Sequence, residues 1–549
     1  MIFKSEHRGK GIAIGKAFIH IRHKNGGNTP CLGDAIVAKS DKSEEDTAAQ
    51  GEIAFKSALD ALIQELQQQT SCSDVPSAGI FEAQMEMAND PLLEETTLGH
   101  ISEGMSAASA VSQAGEEIAE MLSGIDDEYL KSRADDVRDI CSRLKDIIEG
   151  NKVHNPFEDI NEGTIIIADE LLPSDTALID FSKVVALVTS SGSPTSHVCI
   201  IAANKGIPAI VGVSGIPQGI TEGETVIADA DNGLVITSPE EETLDKYMSL
   251  AGQISREQTI LKEKASLPAV TLDGIRIKVY ANAGNLEEIK DAVSLGAEGI
   301  GLFRTEFLYL RGEHLPTEDE LTSTFSEALD ILNGRPLTIR ALDIGGDKQI
   351  PNIEMPFEDN PFLGCRGIRF LLTHTDLFKT QIRAVLRAAS KGKIRFMLPM
   401  VCTTDEIVKA ENLIAICKEE LSLEGREQGE ISLGIMVETP AAVFTAGKLG
   451  DRVDFFSIGT NDLTQYVMAA DRGNSSVSHL LDSSNDAVTS AIRMIITAGE
   501  KAETEVGMCG EYAASSDSTE TLIRLGLREF SVSPAAIPAL KQRIRNLKY

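Results

Sequence analysis

Residues 454–462 read Asp-Phe-Phe-Ser-Ile-Gly-Thr-Asn-Asp, and in this stretch a short apolar segment runs directly into a polar turn. A short apolar run bounded by turn residues is typical of a buried strand. The same pattern, each time followed by a helical one, occurs eight times after residue 268, at 277–282, 299–303, 337–342, 395–400, 433–437, 454–458, 505–508 and 529–532. Eight strand–helix units over about 280 residues predict a (β/α)8 TIM barrel. A doubly wound open sheet is the alternative fold.

Charged or reactive side chains follow five of these predicted strands. In a (β/α)8 barrel the loops after the carboxyl ends of the strands meet at one mouth, which holds the active site. A single charged residue after a single strand would be weak evidence for an active site, but here such residues follow five strands and would all reach the same mouth. The residues are Arg304 and Glu306, Arg340 and Asp343, Glu438, Asn461 with Asp462 and Arg472, and Cys509 with Glu511. We therefore expect them to form a single site.

The residue types in this set predict a small substrate that carries phosphate and carboxylate. Arginine guanidinium groups bind the oxygens of both in a forked geometry. Glu438 and Asp462 supply two hard oxygen ligands, and Mg²⁺ commonly takes one or two carboxylates together with substrate oxygens. The thiol of Cys509 can donate or accept one proton. We expect a proton transfer at a carbon atom of the bound anion. For any one of these arginines taken alone, the alternative is a structural salt bridge at the barrel rim.

The amino-terminal half has a different pattern. Residues 1–25 predict a short β segment, whereas residues 40–150 carry helical periodicity without a strand signal. Short apolar runs at 164–168, 184–188 and 225–228 then predict strands. We therefore predict a multidomain α/β chain that consists of a small α/β domain at 1–25 and 150–238, an inserted helical bundle at 26–149, a linker helix at 239–267 and the barrel at 268–549.

A histidine, His197, ends the turn-rich stretch Ser-Gly-Ser-Pro-Thr-Ser-His at 191–197, just before an apolar helical pattern. Thr195 or Ser196 can cap that helix, which places the imidazole in its first turn. Unpaired backbone N–H groups and the positive end of the helix dipole favour anions there. An imidazole that must carry a phosphoryl group would be well placed, and a structural histidine beside a cap is the alternative.

The composition argues against several classes of protein. A net charge of −33 argues against nucleic acid as a partner. No apolar run approaches the roughly 18 residues of a membrane span, and the amino terminus lacks a signal-peptide pattern, so we expect a cytoplasmic protein. The cysteines form no C-x-x-C pair, which argues against a zinc site or a redox dithiol. Because the sequence lacks a secretion signal, we expect free thiols. Residues 41–150 hold 25 Asp and Glu against 7 Lys and Arg, which indicates either an acidic surface for a basic partner protein or a solubilising surface.

Long runs of residues resemble enzyme I of the bacterial phosphoenolpyruvate-dependent sugar phosphotransferase system, in the same order and almost from end to end. The runs are Asp-Asp-Glu-Tyr-Leu-Lys at 126–131, Asp-Asp-Val-Arg-Asp-Ile at 135–140, Thr-Ser-His at 195–197, Gly-Leu-Phe-Arg-Thr-Glu-Phe-Leu at 301–308, Asp-Ile-Gly-Gly-Asp-Lys at 343–348, Glu-Asp-Asn-Pro-Phe-Leu-Gly at 358–364, Met-Val-Glu-Thr-Pro-Ala-Ala at 436–442, Phe-Phe-Ser-Ile-Gly-Thr-Asn-Asp-Leu-Thr-Gln-Tyr at 455–466 and Gly-Met-Cys-Gly-Glu at 507–511.

This resemblance implies a phosphotransferase that works in two steps. Phosphoenolpyruvate would bind in the barrel with Mg²⁺ on Glu438 and Asp462. His197 would attack its phosphorus, and Cys509 would protonate the enolate of pyruvate. The phosphoryl group would then pass to the phosphocarrier protein HPr, which in this family docks on the helical insertion, and the barrel would form a homodimer. The residues that the resemblance implies for holding phosphate and carboxylate are Arg304, Arg340, Asn461 and Arg472, with Arg366 assisting.

The chain departs from the family around His197. Gly192, Ser193 and Pro194 stand where the family usually has Gly-Gly followed by Arg or Ala. Leu172 replaces a family Thr that can hydrogen-bond the imidazole, and Ala203 stands where an Arg is common. A non-catalytic or regulatory paralogue that binds HPr or phosphoenolpyruvate is therefore the alternative. Pyruvate phosphate dikinase and phosphoenolpyruvate synthase need a large ATP-binding domain, and no Gly-rich domain of that size fits before residue 150.

Overall fold

The protein's structure is a computed structural model. It describes residues 1–5, 7, 9–21, 44–72, 84–85, 87–123, 128–150, 155–158, 160–171, 173–192, 198–199, 201–202, 206–216, 219–310, 314–345, 353, 358–472 and 474–548. The chain divides into two compact units, residues 1–255 and 256–549.

In its described part, the first unit contains a seven-stranded sheet. Its strands are β1 (Ile2–Lys4), β2 (Ile12–His20), β3 (Thr164–Ala168), β4 (Val184–Thr189), β5 (Ala209–Ile210), β6 (Thr225–Asp229) and β7 (Leu234–Thr237), in the order β1-β7-β6-β2-β3-β4-β5. The strands β2 to β5 are parallel, and the others pair antiparallel. The strands predicted at 164–168, 184–188 and 225–228 are present, whereas the two-residue β5 and the four-residue β7 were not predicted.

Four helices lie between β2 and β3 along the chain, among the residues described there. They are α1 (Glu44–Cys72), α2 (Pro91–Ser102), α3 (Ala107–Ser123) and α4 (Glu128–Ile148). Apolar side chains at helical spacing, such as Leu62 and Leu66 of α1, are fully buried in their common core. This confirms the predicted helical region inserted after the first β segment. A short helix, α5 (Pro173–Leu178), follows β3.

The predicted connecting helix is α6 (Glu241–Glu263). Its sequence is polar along most of its length, and most of its side chains are exposed or half-buried. Within the described residues, no helix has the length and apolar character needed to cross a bilayer.

The second unit is a closed barrel of eight parallel strands in the described part of the chain, preceded by a short antiparallel strand, β8 (Ala269–Val270). The barrel strands are β9 (Arg276–Ala283), β10 (Ile300–Phe303), β11 (Leu337–Arg340), β12 (Ile394–Leu398), β13 (Ile431–Val437), β14 (Phe455–Ile458), β15 (Glu505–Met508) and β16 (Glu529–Val532). The ring closes because β9 pairs with both β10 and β16. The (β/α)8 prediction is confirmed, and the closed ring excludes the doubly wound alternative.

Helices alternate with these strands along the chain. They are α7 (Leu286–Ser294), α8 (Glu306–Leu310), α9 (Glu318–Leu332), α10 (Ile368–Thr373), α11 (Thr375–Ala388), α12 (Thr404–Leu423), α13 (Pro440–Gly450), α14 (Thr460–Met468), α15 (Asp486–Ala502), α16 (Ser518–Arg524) and α17 (Ile537–Asn546). Apolar side chains from the helices and the barrel strands form one continuous core cluster.

Two strands end earlier than the sequence predicts. The strand predicted at 395–400 ends at Leu398, because Met400 adopts a left-handed φ of 58° and its N–H donates to a carboxylate instead of the ladder. The strand predicted at 337–342 ends at Arg340, since the N–H of Leu342 donates to the side chain of Gln381. In both places a side-chain acceptor replaces the neighbouring strand, and this happens at the mouth where the functional residues lie.

A small apolar cluster fills the inside of the barrel. Leu302, Met397, Met436, Phe455 and Cys509 form it. Toward the amino ends of the strands, the guanidinium of Arg395 lies 4.0 Å above the Phe455 ring and pairs with Glu529. The barrel interior is therefore packed, and Cys509 lies at the upper surface of this packing.

Candidate active site at the carboxyl ends of the barrel strands

The first group of functional side chains joins the ends of β10 and β11. The buried Arg340 donates to Glu306 at 2.6 Å and lies 3.2 Å from Asp343. Glu306 also accepts the backbone N–H of Asp343 at 3.2 Å. The Nε of Arg340 is buried and has no hydrogen-bond partner among the described residues. Arg340 is therefore fixed by carboxylates on one side and keeps an unused donor.

Arg366 links two aspartates across the mouth. Its side chain is 1% exposed, and its Nε and Nη2 donate to Asp343 at 3.1 and 3.0 Å. Its Nη1 and Nη2 donate to Asp462 at 2.9 and 3.1 Å. Gly367 has a φ of +59°, a conformation that favours glycine and turns the chain back just before α10. Arg366 therefore lies beneath the surface, where it holds both carboxylates in place.

Glu438 follows β13 and is 1% exposed. One of its oxygens accepts the N–H of Met400 at 2.7 Å. Burial raises the pKa of the Glu438 carboxyl to about 8, and the negative charges of Asp462 and Asp343 add to that rise. A Cβ on Gly459 would come within 2.7 Å of the other Glu438 oxygen, so only glycine leaves that oxygen its space. Glu438 is thus a buried carboxylate whose charged form is disfavoured mainly by its removal from water.

The carboxylates of Glu438 and Asp462 suit a divalent cation. Two hard oxygen ligands, one of them buried without a cation of its own, match the preference of Mg²⁺ for one or two carboxylates plus substrate oxygens and water. Among the residues that the structure describes, no group of three or more His, Cys, Asp and Glu side chains could hold a metal unaided. The pair therefore fits a cation that shares its coordination with a bound substrate.

Cys509 follows β15 and is 4% exposed. Its Sγ lies 3.8 Å from the carbonyl oxygen of Ile458. Burial raises the pKa of the Cys509 thiol to about 11, and the charge of Glu438 acts in the same direction. A hydrogen bond with the Ser457 side chain and the charges of Arg340 and Arg304 oppose the rise. Arg304, Arg340, Glu438 and Cys509 come from four of the five predicted strands, and they lie close enough to interact electrostatically. At neutral pH Cys509 is protonated and can donate its proton.

Three predicted binding residues lie at the outer surface of the mouth. Arg304, Asn461 and Arg472 are exposed. The Nδ2 of Asn461 donates to the Glu511 carboxylate at 3.3 Å, and its Oδ1 accepts the backbone N–H of Glu511 at 3.3 Å. No described side chain caps the amino end of α14, which contains Asn461 in its first turn. Free backbone N–H groups at a helix start favour anions, so this end of the mouth suits a phosphate or carboxylate.

His197 lies outside the described residues, and so do Pro194, Leu172 and Ala203. The residues described before His197, up to Gly192, follow the parallel strand β4. Thr189, the last residue of β4, donates from its hydroxyl to the carbonyl oxygen of Ser191 at 2.6 Å. Val198, directly after His197, is buried.

Sequence reasoning missed several supporting residues. Asp343 and Glu306 were expected at the mouth, but their function as acceptors for Arg340 and Arg366 requires the three-dimensional contacts. Asn282, near the end of β9, was not predicted at all, although it donates to the carbonyl oxygen of Cys509 at 2.9 Å. A signal existed, because Asn282 is a polar residue at the end of a predicted strand, but it was passed over because no charged or reactive residue stands beside it.

Comparison with known families agrees with this architecture. The model of the PEP-binding domain of PEP-utilising enzymes matches residues 258–549. The models of their N-terminal and mobile domains match residues 8–133 and 160–233. The first of these models alone covers more than half of the chain.

Curated relatives extend over most of the chain. A phosphoenolpyruvate-protein phosphotransferase of Haemophilus influenzae is 42% identical over 474 residues, which cover 86% of this chain and 82% of the relative. One of Staphylococcus aureus is 37% identical over 544 residues, covering 98% and 93%. One of Haloferax volcanii is 40% identical over 472 residues, covering 85% and 81%. With this identity over nearly its whole length, the chain belongs to the phosphoenolpyruvate-protein phosphotransferase family, the enzyme I family.

Proposed function

We propose that this chain is an active phosphoenolpyruvate-protein phosphotransferase. It takes the phosphoryl group of phosphoenolpyruvate onto His197, releases pyruvate and passes the phosphoryl group to HPr. The observation that carries this proposal is the side-chain network at the barrel mouth. Arg366 binds Asp343, after β11, and Asp462, after β14, and the buried Glu438 and Cys509 follow β13 and β15. Anion-binding groups, a cation site and a proton donor are what this reaction requires of the barrel, and His197 is the proposed nucleophile.

The arginines and Asn461 bind the substrate. Arg304 and Arg472 are exposed at the mouth and can form forked bonds to phosphate and carboxylate oxygens. Arg340 contributes its unused Nε donor from below. Arg366 acts through Asp343 and Asp462, to which it is bound on both sides. This layered arrangement holds the binding groups in place before the substrate arrives, which lowers the cost of organising them in the transition state.

Mg²⁺ is the cofactor that Glu438 and Asp462 fit. When bound there, the ion would supply positive charge beside the phosphate and the developing enolate oxygen. Glu438 must lose its proton to act as a ligand, because its pKa is raised in the protein alone.

The chemistry needs one nucleophile and one acid from the protein. A nitrogen of His197 forms a bond to phosphorus as the bond from phosphorus to the enol oxygen breaks, and the electron pair stays on that oxygen. Positive charge from the arginines stabilises the enolate that forms. The thiol of Cys509 then gives its proton to the methylene carbon, which forms pyruvate and leaves a thiolate. The raised pKa of the thiol keeps this proton in place until the enolate is present.

The acceptor protein and the assembly follow from the family. HPr receives the phosphoryl group from His197. Residues 41–150 carry an excess of acidic side chains, which would be complementary in charge to a basic docking face on HPr. A homodimer through the barrel is the assembly that we propose for this chain.

Labelling with phosphoenolpyruvate tests the function. The full chain is incubated with Mg²⁺ and phosphoenolpyruvate that carries labelled phosphate, and we expect an acid-labile, base-stable label on the protein. His197→Ala should abolish it, whereas the control His100→Ala, on α2, should keep it. An unlabelled parent protein would favour the non-catalytic paralogue. A label that persists in His197→Ala would place the acceptor elsewhere.

A further inference from the structure

Asn282 uses both ends of its side-chain amide. It is the last residue but one of β9 and is half-buried at the barrel mouth. Its Nδ2 donates to the carbonyl oxygen of Cys509 at 2.9 Å. Its Oδ1 accepts the hydroxyl of Ser531 at 2.7 Å. Since the amide has a partner at each end, its orientation is fixed and its donor is directed at the main chain of Cys509.

Ser531 can hold Asn282 because a glycine gives it room. Ser531 is 3% exposed on β16. A Cβ on Gly301, on β10, would lie 2.5 Å from the Ser531 hydroxyl and 2.6 Å from its Cβ. Contacts that short do not occur, so a side chain at position 301 would displace Ser531. Gly301, Ser531 and Asn282 therefore form one interlocked set inside the barrel.

The main chain of Cys509 is held on both sides. Its N–H donates to the carbonyl oxygen of Ile458 at 3.1 Å, and its carbonyl accepts from Asn282. A cysteine side chain has a single torsion angle between its backbone and its sulfur. A shift of this main chain therefore moves the thiol with it, in addition to the contact that Sγ makes with the carbonyl oxygen of Ile458 at 3.8 Å.

We propose that Asn282 is a positioning residue, which directs the thiol of Cys509 at the carbon that receives its proton, and that Ser531 holds Asn282 in the required orientation. This proposal rests on the proposed function, because it concerns the protonation of the enolate. Asn282 itself transfers no proton. It acts through the main chain of Cys509, and its loss lets the thiol move away from the reacting carbon.

The variant Asn282→Asp separates this function from packing. Aspartate has the same size and shape and still accepts from Ser531, but as a carboxylate it cannot donate to the Cys509 carbonyl. We expect steady-state turnover to fall about 10- to 100-fold, the effect of a misplaced reacting group, while KM for phosphoenolpyruvate changes less than about twofold. The matched control is Asn485→Asp. Asn485 caps α15 by accepting a backbone N–H, which aspartate also does.

A double-variant cycle identifies the residue through which Asn282 acts. In a Cys509→Ala background, Asn282→Asp should change the remaining turnover by less than about twofold, because the two changes remove the same step. Equal factors in both backgrounds would overturn the proposal, as would normal turnover of Asn282→Asp. The variant Ser531→Ala provides a second route, and we expect it to weaken turnover in the same direction by a smaller factor.

Alkylation gives a readout that does not need the reaction. We expect iodoacetamide to modify Cys509 severalfold faster in Asn282→Asp than in the parent or in Asn485→Asp, as measured by mass spectrometry of the peptide. An unchanged rate would overturn the positioning function. If the parent is not labelled by phosphoenolpyruvate, the proposed function fails, and the alkylation rates still decide whether Asn282 holds Cys509.

Discussion

Burial gives Cys509 a different acidity from an exposed cysteine. Its sulfur is almost removed from water, and this raises the pKa of the thiol to about 11. With this pKa the Cys509 thiol keeps its proton at neutral pH and gives it up only to a strongly basic carbon. The nearby guanidinium groups of Arg340 and Arg304 limit the rise.

Alkylation of Cys509 should therefore depend on pH in an unusual range. The thiolate is the reactive form, so we expect the rate with iodoacetamide to be low at pH 7 and to keep rising up to about pH 11. The same peptide in the urea-unfolded chain should level off near the ordinary cysteine value of about 8.5. Mass spectrometry of the peptide gives both rates. A folded-state profile that levels off at the unfolded value would contradict the burial of the thiol.

Glu438 predicts a pH effect on stability with a defined sign. Its pKa is raised in the folded protein to about 8, so the folded state binds this proton more tightly than the unfolded chain does. The contribution of Glu438 to stability is therefore present at low pH and is lost as the pH rises through about 8. With EDTA present, the melting temperature of the barrel should fall between pH 5 and pH 8.5, and it should fall less in Glu438→Gln. Equal losses in parent and variant would contradict this charge effect.

Helix packing in the first unit depends on one residue without a side chain. A Cβ on Gly115, in α3, would lie 2.7 Å from Sγ and 2.8 Å from Cβ of Cys141, in α4. Because Cys141 is buried, it has little space into which it can retreat. The close approach of α3 and α4 thus requires the glycine, even though alanine is the better helix former.

Gly115→Ala should destabilise the helical region by about 1–3 kcal/mol, the usual cost of overpacking. The matched control is Gly99→Ala in α2, where nothing lies within 4 Å of the added Cβ, and there we expect a gain of about 0.5–1 kcal/mol. Adding Cys141→Ala to Gly115→Ala should recover part of the loss. Thermal unfolding followed by circular dichroism measures all three. A stabilising Gly115→Ala would contradict the packing.

The elements of the barrel were predictable because each carries a local signal. An apolar run such as 454–458 predicts a strand without reference to its neighbours, and all eight predicted barrel strands are present. The end of the strand at 395–400 was wrong because the left-handed φ of Met400 depends on a carboxylate 38 residues away. Asn282 was missed for the same reason, since its partner Cys509 is 227 residues away. Long-range hydrogen bonds leave no periodicity in the sequence.

At the scale of the whole molecule, charge is distributed unevenly. Residues 41–150 hold 25 acidic and 7 basic residues. Exposed charges more than a Debye length apart are screened by salt, so an interaction that depends on them weakens with ionic strength. This surface is where we propose that HPr binds.

The affinity for HPr should therefore fall as salt is added. We expect Kd, measured by isothermal titration calorimetry in full-length protein, to rise at least several-fold between about 0.05 and 0.5 M NaCl, with the association rate changing most. Sucrose at equal osmolality is the control and should leave Kd unchanged. An affinity that does not respond to salt would leave the acidic surface without a docking function.

The fit between Gly301 and Ser531 also constrains how this barrel can evolve. A side chain at position 301 is tolerated only after position 531 has become smaller, and that change removes the support of Asn282. Positions 282, 301 and 531 are therefore linked by epistasis. A change at any one of them alone gives an intermediate of lower fitness. In a lineage that kept the fold but abandoned proton delivery, position 282 would be free to change, whereas positions 301 and 531 would still be limited by their packing.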